Sequence, residues 1–118
     1  MPRLEVRKYL FDILQACELL LRFTAGKSLS DYSDDELLRS AVERQFEIAG
    51  EALSQALRLE PGLAGYISHT RRIIAFRNRL IHGYDSVADE TVWGVLETDL
   101  PTLRSEVELL LLQPSDET

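Results

Sequence analysis

Apolar residues in the first part of the chain recur every three or four positions, and no segment shows the strict alternation of an amphipathic strand. A repeat of 3.6 residues places such side chains on one face of an α-helix. The pattern predicts a first helix over residues 4–24, with Gly26 as a stop because glycine suits the left-handed cap conformation. The apolar face of this helix consists of Val6, Tyr9, Leu10, Ile13, Leu14, Cys17, Leu20 and Leu21.

The same periodicity predicts three further helical regions. Ser33 and Glu36 have the S-x-x-E spacing of a capping box, so we expect the second helix to begin there and to end before Pro61. A third helix should cover approximately residues 66–82, with Gly83 just past its end. The last helical region contains Pro101, which would start a new segment or introduce a kink.

Helices joined by short loops, each with one apolar face, predict an all-α fold, an antiparallel bundle of four to five helices. With 118 residues, 45 % of them hydrophobic, the chain is sized for one core. We therefore expect a single domain over residues 1–113 and a disordered tail over residues 114–118.

The chain has one cysteine and two histidines, which limits disulfide and metal chemistry. Cys17 lacks an internal disulfide partner and lies on the apolar face of the first helix, which predicts a buried thiol in a reduced compartment. No H-x-x-x-H or C-x-x-C spacing occurs, so we predict no metal and no cofactor. No apolar run approaches the roughly 18 residues of a membrane span, so we expect a cytoplasmic protein with no membrane partner.

The stretch from Pro61 to Tyr84 contains no acidic residue, although the chain carries a formal charge of −7. Both histidines and four of the thirteen basic residues lie in this stretch. Anion-binding capacity is thus concentrated on one segment, while the rest of the chain is acidic. This balance argues against nonspecific coating of nucleic acid but allows a local basic cleft.

Arg77 lies within the apolar arc of the third predicted helix, where an unpaired guanidinium would be costly to bury. One explanation is that it pairs with a carboxylate of the second helix, Glu47 or Glu51, or that its stem is buried while its head reaches water. The other is that the arc opens onto a cleft or subunit interface, where Arg77 is held ready for an anion. The sequence leaves both open.

His82 follows Arg77 by five residues, which is about 140° around a continuous helix. A helix that ends at Gly83 would let His82 and Tyr84 turn toward Arg77. Alternatively, His82 only stabilises the helix C-terminus and Tyr84 packs with its hydroxyl in water.

Other polar residues of the segment carry weaker signals. Asn78 could orient His82 or a phosphate, or be an ordinary surface amide. Arg71, Arg72 and Arg79 project away from the apolar arc, as a solvated face or as candidate contacts to a nucleic-acid backbone. His69 has no spaced partner, and we predict no role for it.

The segment Arg77-Asn78-Arg79-Leu80-Ile81-His82-Gly83-Tyr84 matches the R-x4-H-x-Y signature of the HepT-like toxins of the HEPN superfamily. The residues from Val42 to Ala52 resemble that family's second-helix segment. Val92-Trp93 followed by Asp99-Leu100-Pro101-Thr102-Leu103 is similar to its closing helix. The resemblance covers most of the chain.

This resemblance implies a HEPN-like helical bundle that forms a homodimer with its two motifs facing a shared cleft. It also implies a metal-independent endoribonuclease, the toxin of a toxin–antitoxin pair. The cognate antitoxin is a minimal nucleotidyltransferase that transfers AMP to the motif tyrosine, here Tyr84, and a larger complex with it is expected. Arg77 and His82 carry over as catalytic residues and Asn78 as a supporting one, with Glu47 and Glu51 as candidates for a supporting shell.

These side chains suit RNA cleavage, because RNA supplies its own nucleophile, the 2′-hydroxyl. His82 is suited to proton transfer near neutral pH, and Arg77 to binding the phosphate through two N–H groups. A noncatalytic protein that delivers a substrate to a nucleotidyltransferase, or anchors it, is the alternative. A purely structural bundle with an accidental motif is the third hypothesis.

Overall fold

The computed structural model describes residues 3–82 and 87–114, and within these ranges the chain is helical with no strand. The predicted all-α bundle of four to five helices is confirmed. The described ranges contain a short 3-10 helix, Pro61–Gly65, and five α-helices: α1 (Leu4–Thr24), α2 (Leu29–Asp34), α3 (Glu36–Leu59), α4 (Thr70–His82) and α5 (Asp89–Leu112). Gly83, Tyr84 and residues 115–118 of the predicted tail lie outside the described residues.

The long helices α1, α3 and α5 build the core, with α1 packed between the other two. Arg3 at the start of α1 donates to the carbonyl of Leu59 at the end of α3. Arg7 donates to the carbonyls of Leu111 and Gln113 at the end of α5. Since the beginning of α1 meets the ends of both neighbours, α1 is antiparallel to each. None of the described helices is both long and apolar enough to cross a bilayer.

The predicted capping box at Ser33 is wrong, because an extra helix, α2, occupies that segment. A capping box forms instead at the start of α2, where the side chain of each of Ser28 and Asp31 accepts from the backbone amide of the other. The N-cap of α3 is Asp35, which accepts from the backbone amide of Leu38 at 3.0 Å. α2 forms because it carries Tyr32, which is fully buried and lies 5.6 Å from the Trp93 ring, measured between ring centroids.

The predicted start of the third helix near Tyr66 is also wrong, since α4 begins at Thr70. The backbone amide and hydroxyl of Ser68 both donate to the Glu106 carboxylate on α5. His69 then has a positive φ of 58°, which is incompatible with a right-handed helix. In contrast, α5 continues through Pro101, whose ring is exposed.

Cys17 is fully buried in the core, as its position on the apolar face of α1 predicted. Burial raises the pKa of the Cys17 thiol to about 12. The thiol therefore stays protonated at neutral pH and packs as a small apolar side chain.

Candidate functional site

Arg77 lies at a close approach of α4 to α3, opposite Gly50. A Cβ built on Gly50 of α3 would be 2.4 Å from the Cβ and 2.6 Å from the Cγ of Arg77. Only a residue without a side chain allows this approach, which buries the arginine stem and leaves 23 % of the side chain exposed. Nearby, Phe46 and Phe76 pack edge to face at 5.1 Å between centroids and hold the same two helices together.

The guanidinium of Arg77 is held by two polar neighbours. Its Nη2 donates to Glu51 Oε1 at 2.5 Å, and its Nη1 donates to Asn78 Oδ1 at 2.8 Å. The second oxygen of Glu51 accepts from Gln55 Nε2 at 2.8 Å, which fixes the carboxylate. The Nε of Arg77 is buried and has no hydrogen-bond partner among the described residues. Because a guanidinium has five N–H donors, these bonds leave donors for a further acceptor.

The structure confirms the pairing of Arg77 with a carboxylate of the second predicted helix, here α3. The pairing carboxylate is that of Glu51, whereas Glu47 Oε1 lies 3.5 Å from Arg44 Nη1 in an i,i+3 pair. Arg77 also borders an open cleft of ≈ 270 Å³ between α1, α3 and α4. The cleft is lined by Tyr9, Asp12, Arg44, Glu47, Ile48, Glu51, Ala52, Arg77 and Ile81.

The cleft carries more negative than positive side chains. Its carboxylates, those of Asp12, Glu47 and Glu51, outnumber the guanidinium groups of Arg44 and Arg77. Within one chain, the cleft is thus a pocket in which Arg77 is largely neutralised.

His82 is the last residue of α4, and its side chain is exposed. The helix is continuous from Arg77 to His82, so the two side chains leave it about 140° apart. His82 accordingly does not line the cleft that Arg77 borders. Around the helix axis, Asn78 lies between Arg77 and His82, and its Oδ1 accepts a hydrogen bond from Arg77 Nη1. The predicted role of Tyr84 falls outside the described residues.

The outward arginines of α4 differ in their surroundings. Arg72 forms an ion pair with Asp99 of α5, whose side chain is 12 % exposed. Arg79 is exposed and borders a groove between α4 and α5, next to Thr91 and Val95. Arg71 is exposed near the start of the helix.

Sequence reasoning missed Gly50, Gln55 and Asp99. A glycine inside a predicted helix costs ~1 kcal/mol relative to alanine, so Gly50 was a detectable sign of close packing. Gln55 and Asp99 had no such signal, because their roles depend on which helices become neighbours.

The sequence also matches known proteins. The family model "Ribonuclease HepT-like" matches residues 13–61 and 65–110. The "Probable ribonuclease HepT" of Thermococcus cleftensis is 32 % identical over 108 residues, covering 88 % of this chain and 94 % of that protein. A protein of Caldanaerobacter subterraneus subsp. tengcongensis, named "Putative RNase", is 32 % identical over 108 residues, covering 89 % and 93 %. No solved structure matches significantly.

The matched segments contain α3, α4 and nearly all of α5, and thus every described residue that contacts the Arg77 guanidinium. The resemblance that the motif indicated is confirmed, and the chain belongs to the HepT-like ribonuclease family.

Proposed function

We propose that this protein is a metal-independent endoribonuclease and the toxin of a toxin–antitoxin pair. The observation that carries the proposal is the position of Arg77. Its stem packs against Gly50 of α3, and its guanidinium binds Glu51 of the same helix. On α4, the exposed His82 follows Arg77 by five residues. Membership in the HepT-like ribonuclease family supports the same activity. Arg77 and His82 are the catalytic residues, and Asn78 supports Arg77.

In the proposed reaction, the 2′-oxygen of a ribose attacks the adjacent phosphorus. The new O2′–P bond forms as the P–O5′ bond breaks, which gives a 2′,3′-cyclic phosphate and a 5′-hydroxyl. His82 takes the proton of the 2′-hydroxyl or gives one to the departing 5′-oxygen. The remaining N–H groups of Arg77 stabilise the charge that grows on the phosphate oxygens.

A homodimer completes this site in our proposal. Arg77 and His82 diverge around α4, and the carboxylates that line the cleft of one chain disfavour RNA there. In the proposed dimer, a second copy would face the first with its own motif and enlarge the cleft. Each chain would then supply the Arg77 or the His82 that the other chain cannot bring to the same phosphate. The expected larger complex contains the antitoxin, a minimal nucleotidyltransferase.

The proposed control of the toxin is transfer of AMP to Tyr84, two residues after His82. An added AMP would place a bulky anion in the active cleft, where it competes with RNA for Arg77.

The test is cleavage of labelled RNA in the presence of a chelator, by protein produced without a nucleotidyltransferase. Arg77→Ala and His82→Ala should each lower kcat/KM by about 10²–10⁴-fold. Matched controls are Arg22→Ala, in the last turn of α1, and His69→Asn, which preserves the left-handed backbone. Unchanged cleavage by His82→Ala would remove the catalytic assignment.

A noncatalytic docking partner of a nucleotidyltransferase is the second candidate. The acidic lining of the cleft and the Glu51–Arg77 pair favour it, because both disfavour a polyanion in a single chain. Chelator-resistant RNA cleavage that depends on Arg77 and His82 would exclude this candidate. A protein without cleavage that still binds the nucleotidyltransferase would favour it.

A further inference from the structure

The outward face of α4 carries two arginines and a histidine on one side of the helix. At about 100° per residue, the side chains of Arg71, Ala75, Asn78, Arg79 and His82 fall within about 100° of arc. Four of them are exposed, and Asn78 is half-buried. We call Arg71, Ala75, Arg79 and His82 the outer strip. It contains no acidic residue, in a chain with a formal charge of −7.

The arginines near this strip are not equivalent. Arg72 lies about 100° from Arg71, and its charge is paired with Asp99. Arg71 and Arg79 make no ion pair with another described residue. Among the described residues, no carboxylate neutralises the charge of Arg71 or Arg79, whereas the charge of Arg72 ties α4 to α5.

The two sides of α4 differ in the ligand that they favour. On the inner side, the cleft beside Arg77 places three carboxylates against two guanidinium groups. On the outer side, two arginines precede His82, and the exposed Ala75 between them adds no charge. Within a single chain, a polyanion is thus favoured by the outer side, and on the inner side only the Arg77 donors that Glu51 and Asn78 leave free attract a phosphate.

We propose that single-stranded RNA binds along the outer strip, with backbone phosphates on Arg71 and Arg79 and the scissile phosphate at His82. This proposal rests on the proposed function and names the path of its substrate. Arg79 lies three residues before His82, so it holds the phosphate next to the cleaved one. From Arg71 to His82 the strip measures ~16 Å along α4, at ~1.5 Å of rise per residue. At ~3.4 Å per stacked nucleotide, this length accommodates about five nucleotides.

The test measures binding separately from cleavage. A fluorescent 2′-O-methyl oligoribonucleotide lacks the 2′-hydroxyl nucleophile, so anisotropy titrations between about 50 and 200 mM salt report affinity alone. Arg71→Gln and Arg79→Gln should each raise Kd about three- to tenfold and reduce the log–log salt slope by about 0.7. Arg22→Gln removes the same charge from an exposed site on α1 and should leave Kd and slope unchanged.

The outcomes separate this proposal from the proposed function. If the parent cleaves RNA and neither Arg71→Gln nor Arg79→Gln changes Kd or slope, the RNA path is wrong and the activity stands. If the parent binds with these dependences but never cleaves RNA in chelator, the path stands and the nuclease assignment fails. Tighter binding of polyglutamate than of the oligonucleotide would overturn the path in favour of an acidic protein partner.

Discussion

Gly50 of α3 lies directly beneath the side-chain stem of Arg77 on α4. An added Cβ would meet the Cβ of Arg77 at 2.4 Å, and that atom cannot move without the helix that carries it. The contact therefore couples the spacing of α3 and α4 to the position of the guanidinium.

Gly50→Ala should destabilise the fold by up to ~2 kcal/mol in urea unfolding. Overpacking costs about 1–3 kcal/mol, which exceeds the ~1 kcal/mol that alanine contributes through helix propensity. Gly94→Ala is the matched control, because a Cβ there meets no atom within 4 Å and α5 should gain about 0.5–1 kcal/mol. Equal gains in both variants would show that α3 and α4 are not in close contact at Gly50.

Glu51→Ala should lower the kcat of RNA cleavage about tenfold. The carboxylate fixes Arg77 through a 2.5 Å charge-assisted bond, and a free guanidinium would lose its orientation toward the phosphate. Glu51→Gln keeps an acceptor at this position and should lose less activity. Glu47→Ala serves as the comparison on the same helix and should retain kcat. Equal kcat values for Glu51→Ala and the parent would contradict a positioning role.

Glu43→Gln should change the pH dependence of stability. Burial raises the pKa of Glu43, reinforced by the nearby charges of Glu47 and Asp89 and opposed by Arg39. The folded state thus holds this proton more tightly than the unfolded state. The bound proton therefore stabilises the folded state at pH values below the ordinary glutamate pKa. This stabilisation is lost as pH rises through the raised pKa of the folded state.

The difference in unfolding free energy, Glu43→Gln minus parent, should therefore become more favourable to the variant as pH rises above ~4, the ordinary glutamate pKa. Urea unfolding at several pH values measures this difference. Glu97→Gln, at an exposed site on α5, is the control and should give a nearly flat difference. A difference that falls with rising pH for Glu43→Gln would reverse the sign argued above.

Tyr32→Phe should leave stability unchanged or raise it by up to ~1 kcal/mol. The Tyr32 side chain is fully buried, and its hydroxyl has no hydrogen-bond partner among the described residues. A buried hydroxyl without a partner costs about 1–3 kcal/mol, so removing it relieves a penalty. Tyr66→Phe, at an exposed site, should change the unfolding free energy by almost nothing. A loss above ~1 kcal/mol for Tyr32→Phe would reveal a partner for its hydroxyl.

The helices of the bundle could be predicted from the sequence where local pattern decides them. The bounds of α1 were correct at both ends, because its apolar face and its stop at Gly26 are local signals. The starts of α3 and α4 were wrong, because distant contacts decide them. Tyr32 is buried against Trp93, which stabilises the separate helix α2 on the N-terminal side of α3. Glu106 accepts from the backbone amide of Ser68, and α4 begins only two residues later, at Thr70.

The sequence by itself determined the helical class, the R-x4-H-x-Y motif and the family, since periodicity and motif spacing are properties of neighbouring residues. Only the tertiary structure decided that Glu51 rather than Glu47 holds Arg77, and that His82 faces away from the cleft beside Arg77. The physical reason is that Arg77 and Glu51 are 26 positions apart. Their meeting depends on how side chains pack between α3 and α4, with Gly50 setting the distance.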